Sequence, residues 1–277
     1  MSVFSPIPLG RPIPHTPHAV SCSLPTMRSI RGYEEKDPAI TGHLGSGYPR
    51  FVVHPYARQL TEYYRTQNNL SHQTLWLTSS EKMAQKLAAE LTRAGTSTTP
   101  FSADGIHGLS HPDESEANAT AKLYLQNVGG FISSREAEDR LVQLGELPAI
   151  TPEILFEGDA LSEIRHHLQP LFANTATDDI LIANCGMNAI AVPFKALAAR
   201  QMKRGRTIWI QLGWLYLDTI TLLKRSAVSA EDYVHFPDVF DLDAIRNCFA
   251  EKGDRVAGII IEAPTNPLLQ TPDLAEI

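Results

Sequence analysis

The sequence predicts an α/β fold built on a largely parallel sheet with helices on both faces. Two observations predict it. From Asp178 onward, short β-branched runs alternate with helical stretches: DDILIANCGM, a helix through Lys203 to Gly205, TIWIQL, a helix near Leu217 to Arg225, DYVHF, a helix from Asp241 to Gly253, and VAGIIIE. The strand-like runs are also almost continuously apolar, as strands covered on both faces must be. In such sheets ligands sit at the carboxyl ends of the strands. The polar turns NCGM and EAPTNP are therefore where chemistry is expected.

Composition narrows the function classes. The chain has 277 residues, 43% hydrophobic and 20% charged, enough to bury a sizeable core. Its net charge of −7 supplies no broad basic surface for a phosphate backbone, so nucleic acid is not an expected partner. Cys22, Cys185 and Cys248 are far apart and have neither CxxC nor Cys/His spacing, which argues against disulfides and zinc and for a reducing, cytoplasmic setting. No apolar run approaches the roughly 20 residues that span a bilayer, so no membrane partner is expected.

In chain order, residues 1–43 read as an N-terminal arm whose Pro-rich first stretch is expected to be loosely ordered. Residues 44–70 pass from a Gly-rich turn into a helix with Ala57, Leu60 and Tyr64 on one face. Residues 71–177 form a long spacer. Within it TSSEKMAQKLAAELTRAG reads as a capped helix ending at Gly95 and SSREAEDRLVQLG as another ending at Gly145, while SADGIHGLSHPDESEANAT reads as loop. Residues 178–277 carry the alternating pattern.

Taken alone, Cys185-Gly186-Met187 has two readings. A glycine opening a helix lets an anion approach the first-turn amides, or it makes a plain strand-to-helix turn. Cys185 likewise reads as a thiol nucleophile or as a small packing residue.

The order of several motifs resembles one family. Tyr48-Pro49-Arg50, then Cys185-Gly186-Met187, then Leu215-Tyr216-Leu217-Asp218-Thr219, then Glu262-Ala263-Pro264-Thr265-Asn266-Pro267 is similar to the sequence of motifs in the Cys/Met-metabolism enzymes that use pyridoxal 5'-phosphate (PLP), the cystathionine γ-synthase and lyase group. The long spacer makes the chain look most like the long, fungal-type cystathionine γ-synthases. The resemblance implies the PLP-dependent transferase fold of aspartate aminotransferase type (fold type I), here as an incomplete sheet.

It also implies roles. Gly186 and Met187 would give backbone N–H groups to the cofactor phosphate, and Tyr216 would stack on the pyridine ring and act in proton transfer, or else be a packed core aromatic. Asn266 would reach the phenolic oxygen or the substrate carboxylate. Glu262 would be a secondary, structural carboxylate. Tyr48 and Arg50 would reach the phosphate of a neighbouring subunit, giving a homodimer or homotetramer, or else form an exposed surface pair. The chain departs from the family at Leu217 and Asp218, where two glycines are usual, at His54, where asparagine is usual, and at Pro193, which interrupts the helix after the phosphate turn.

In the family, the aspartate that pairs with the pyridine nitrogen and the lysine of Ser-x-Thr-Lys lie beyond the last of these motifs, and none of the eight lysines here carries that context. The sequence is therefore expected to be a piece that stops before both, inactive by itself, with Thr271-Pro272-Asp273 opening a helix. The activity implied for the complete enzyme joins an O-acylhomoserine to cysteine to make cystathionine. The alternatives are a sulfhydrylase or C–S lyase, and a non-catalytic structural or interaction subunit.

Overall fold

The computed structural model describes residues 7–46 and 53–277. It divides into two compact units, the first made of residues up to 126 together with 130–158, the second of 127–129 together with 159–277. Tyr48 and Arg50 lie outside the described residues.

The first unit begins with more order than the sequence suggests. A two-residue ladder joins β1 (Pro12–Ile13) to β2 (Ser21–Cys22). Two short helices follow, α1 (Met27–Glu34) and α2 (Pro38–Thr41), each capped by a side chain, Thr26 on Ser29 N and Asp37 on Ala39 N. These caps supply acceptors for orphan first-turn amides, which is how so polar a stretch holds helical turns.

Next comes α3 (Pro55–Gln67), whose expected face of Ala57, Leu60 and Tyr64 is buried. It packs on the sheet made by β3 (Gln73–Thr78), β4 (Thr99–Ala103) and β5 (Ile106–Pro112), with α4 (Glu81–Arg93) between the first two strands in the chain. The sheet order is β3-β5-β4 and every pairing is antiparallel. The stretch expected to be loop is thus a hairpin followed by α5 (Ser115–Val128). Its turn is Asp104-Gly105, both at positive φ (+52° and +81°), the two-residue turn whose twist matches paired strands. The last helix of this unit is α6 (Ser134–Gln143), with Ser133 accepting from Glu136 N, so both helices expected in the spacer are present.

The second unit holds the parallel sheet. After α7 (Ala160–Leu168) and α8 (Gly186–Met202), the strands β6 (Ile208–Leu212), β7 (Tyr233–Phe236) and β8 (Val256–Ile261) alternate with α9 (Leu217–Ser226) and α10 (Leu242–Lys252). The order is β7-β6-β8, all parallel, with β6 in the centre. Alternate residues of β6 face opposite ways. Ile208 and Ile210 pack with Cys248 of α10, while Trp209 meets Phe194 of α8 at 4.7 Å between ring centroids. Helices on both faces are thereby borne out for this sheet, and the chain as a whole carries mixed sheets.

Three expectations are corrected. Ile180–Ala183 runs extended but pairs with no strand among the described residues; both edges of β6 are already taken, Leu181 is 83% exposed, and the Ile180 carbonyl accepts from Arg165 Nε. Pro193 does not end α8, because it lies on the exposed side of the helix, where water can serve the carbonyl that loses its partner. Residues 271–277 make one turn rather than a helix start, with Asp273 rather than Thr271 accepting the local amide, from Ala275 N.

Among the described residues no helix is long and apolar enough to cross a membrane. Leu60 is wholly buried in the first unit's core, so Leu60→Ala should cost about 2–5 kcal/mol in urea denaturation. Ile154→Ala, at a fully exposed site, should change stability by less than about 0.5 kcal/mol.

Candidate functional site

The site lies in the second unit, where α8 and α9 begin and β8 ends. The first turn of any helix has amides without intrahelical acceptors, and the aligned peptide dipoles make that end attractive to anions. At the start of α8 those amides are free to be used. Cys185 precedes the helix in extended conformation and its side chain does not cap it. No acceptor for the amides of Gly186 or Met187 is found among the described residues. A Cβ placed on Gly186 would meet nothing within 4 Å, so the helix start is uncrowded on that side.

The thiol of Cys185 is turned toward the Gly129 carbonyl, 3.9 Å away, rather than over the helix axis. Asn184 Nδ2 donates to the same carbonyl at 3.2 Å, and Asn188 Nδ2 donates to the Val128 carbonyl at 3.1 Å. Asn127, one residue earlier, donates from Nδ2 to Asp218 Oδ1 in the first turn of α9 at 3.4 Å. The three residues 127–129 therefore tie together the starts of α8 and α9. Asn127, Asp218 and Thr219 are all buried, and Asn127 Oδ1 and Thr219 Oγ1 have no partner. Buried polar atoms normally have one, so among the described residues these two stand as unsatisfied groups at the helix junction.

Tyr216 caps α9 by position, with its ring half-buried. Its backbone N–H donates to Glu262 Oε1 at 2.6 Å, a short bond to a charged acceptor that fastens the end of β8 to the start of α9. Past Glu262, the peptide bonds before Pro264 and Pro267 are both cis. Thr265, fully buried, closes this loop: its N–H donates to the Gln270 carbonyl at 2.9 Å and its Oγ1 accepts from Gln270 N at 3.0 Å. Asn266 is exposed on the loop so formed.

Of the residues expected at the site, Gly186, Met187, Tyr216, Glu262 and Asn266 thus fall in one unit, at helix starts and a strand end. The sequence reading missed Asn127, Gly129 and Thr265. Gly129 carried a signal in the doubled glycine of NVGG; it has φ +63°, and nothing local indicated which helix it would meet.

These features define an α/β unit with an uncapped helix start and a half-buried tyrosine at the start of the next helix. The chain is homologous along nearly its whole length to cystathionine gamma-synthase and related enzymes. It is 35% identical over 274 residues to the L-2-amino-4-chloropent-4-enoate dechlorinase/desaturase of Streptantibioticus cattleyicolor, covering 99% of this chain and 54% of that protein. It is 23% identical over 390 residues to the cystathionine gamma-synthase of Neurospora crassa, covering 98% of this chain and 63% of that one. With the cystathionine gamma-synthase-like protein ankD of Aspergillus thermomutatus it shares 25% identity over 315 residues, 98% of this chain and 55% of that protein. The chain thus spans a little over half to under two thirds of these relatives. No family model and no solved structure matches it.

A Cβ on Gly129 would lie 2.2 Å from Cys185 Sγ and 3.0 Å from the backbone N of Asn188. Gly129→Ala should therefore destabilise the second unit by more than about 1 kcal/mol, through the left-handed backbone and the clash together. Gly186→Ala, with open space around it, should be neutral within about 0.5 kcal/mol in the same urea titration.

Proposed function

We propose that the start of α8 binds the phosphate of PLP and that the chain is the cofactor-binding portion of an enzyme of the cystathionine γ-synthase type, with the aspartate aminotransferase-type fold I. The observation that carries this reading is the pair of unengaged amides at Gly186 and Met187, with uncrowded space beside Gly186. The donor set fits a phosphate dianion: two N–H groups at the positive end of a 17-residue helix, and the adjacent carboxylate of Glu262 already committed to the Tyr216 amide.

When bound, PLP would supply an electron sink for negative charge developing at the amino acid's α-carbon. The protein's part is to hold and orient. Gly186 and Met187 fix the phosphate end through backbone groups, so the side chain at Cys185 is free to differ from serine. Tyr216 offers its ring face for stacking and its hydroxyl for proton transfer, and the Glu262 bond to its backbone keeps the residue from swinging away. Asn266 offers a side-chain amide from a loop closed by Thr265 and Gln270. Tyr48 and Arg50, from a second copy of the chain, complete the phosphate contacts in a homodimer or homotetramer.

The reaction we favour is γ-replacement on an O-acylhomoserine, with cysteine as the incoming nucleophile and cystathionine as product. A second reading is supported by the whole-length likeness to the dechlorinase/desaturase. Its named substrate, 2-amino-4-chloropent-4-enoate, carries chlorine on the fourth carbon, which is also the carbon that carries the acyloxy group of an O-acylhomoserine. Loss of a leaving group from Cγ of an α-amino acid is common to both. Sulfide in place of cysteine, or C–S cleavage, uses the same steps.

Proline at the first helical position keeps the helix and removes one amide donor. Gly186→Pro should therefore leave helix content unchanged and weaken PLP binding by about tenfold or more, the worth of one hydrogen bond to a charged group. Absorbance titration checks the binding. Product analysis on the full-length protein, with O-acetyl- or O-succinylhomoserine and cysteine against a γ-chloro amino acid, separates the two reactions. Unchanged PLP affinity in Gly186→Pro would remove the phosphate from α8.

A further inference from the structure

We propose that His54 is a proton-sensitive helix cap: the start of α3 requires its neutral imidazole, so acidification loosens the first turn of that helix while the bond from Nε2–H to the Pro17 carbonyl persists. This goes beyond the functional reading above and does not depend on it.

The geometry fixes one tautomer. Helix α3 opens with Pro55, which has no N–H, so the first amide needing an acceptor is that of Tyr56. It donates to His54 Nδ1 at 3.2 Å. On the other side of the ring, Nε2 lies 2.6 Å from the Pro17 carbonyl oxygen. An amide N–H can only donate and a carbonyl can only accept, so Nε2 carries the hydrogen and Nδ1 the lone pair. A further proton has one place to go, Nδ1, where it would point at the Tyr56 N–H. Protonation therefore deletes the cap and sets donor against donor. Serine, threonine and asparagine caps do not titrate near neutrality; histidine does.

The neighbourhood keeps the effect local. The His18 ring stacks on His54 with centroids 5.7 Å apart, and the Tyr56 ring lies 5.1 Å from His54. His18 is held from behind by α6, with Nε2 at 2.9 Å from Glu138 Oε2 and Nδ1 at 3.0 Å from Ser134 Oγ. Glu138 takes Thr151 N–H at 3.0 Å on its other oxygen. Arg58, one turn into α3, also acts on His54.

Desolvation pushes the His54 pKa below its ordinary value of 6.5; the Pro17 carbonyl and Glu138 oppose this, and His18 and Arg58 add to it. The folded protein thus binds the proton less readily than the unfolded chain. Stability from this group is complete above the unfolded value and declines as the pH falls from there toward the depressed folded value.

The test uses the unaltered protein first. Imidazole nitrogen shifts at about pH 7.5 should report an Nε2–H tautomer for His54, and the protection factor of the Tyr56 amide should fall about fivefold by about pH 5, the worth of one N-cap. His54→Asn keeps a cap that does not titrate and should flatten that dependence; His54→Leu should show low protection at both pH values. An Nδ1–H tautomer at neutral pH would overturn the proposal, as would an undiminished pH dependence in His54→Asn. If neither variant folds, the tautomer and the wild-type protection profile decide the matter alone.

Discussion

The candidate site depends on the contact between Gly129 and the first turn of α8. Backbone and short side chains meet there at distances that no Cβ could share, and the carbonyls of Val128 and Gly129 take the side-chain amides of Asn188 and Asn184. Those bonds occupy asparagine side chains that could otherwise fold back onto the helix start and cap it. Its amides stay unengaged as a result. Through Asn127 the same short segment reaches Asp218 and so fixes where α9 begins. Anion binding needs donors that are fixed before the ligand arrives, and here the fixing comes from residues some sixty positions upstream in the chain.

The parallel sheet supplies the other half of the frame. β6 is paired on both sides, its side chains buried against α8 and α10, so its end cannot wander. β8 runs parallel beside it and leaves the sheet at Glu262, whose carboxylate immediately captures the Tyr216 amide. A strand end, a helix start and a half-buried tyrosine are coupled by one charged hydrogen bond. The polar knot after Ile261 then serves a mechanical purpose, since Thr265 closes the loop on Gln270 while Asn266 stays outside.

What the sequence makes legible follows physical range. Helices α3, α4 and α6 could be read because caps, apolar periodicity and terminal glycines are local, and the β6–β8 alternation is legible because short β-branched runs alternate with helical stretches. The hairpin at Asp104-Gly105 was read as loop, because the polar residues of its strands hid the turn signal. Ile180–Ala183 looked like a strand by composition, yet strand formation needs a neighbour, and composition does not say whether one is present. The motif residues of the site are short-range patterns. Asn127 and Gly129 are not, since each acts through a partner chosen by the fold. His54 shows the same limit: its substitution for asparagine reads as a departure, whereas its ring does the capping through a titratable nitrogen and adds a bond to Pro17.

The central claim is that the free amides at the start of α8 receive a phosphate. Amide chemical-shift mapping of the isotopically labelled chain tests it most directly, with PLP and unphosphorylated pyridoxal compared at equal concentration. The account predicts that the largest saturable changes with PLP fall on the amides of Gly186 and Met187 and are absent with pyridoxal. Equal changes with both ligands, or changes spread over lysine-bearing surface with those two amides unmoved, would contradict it.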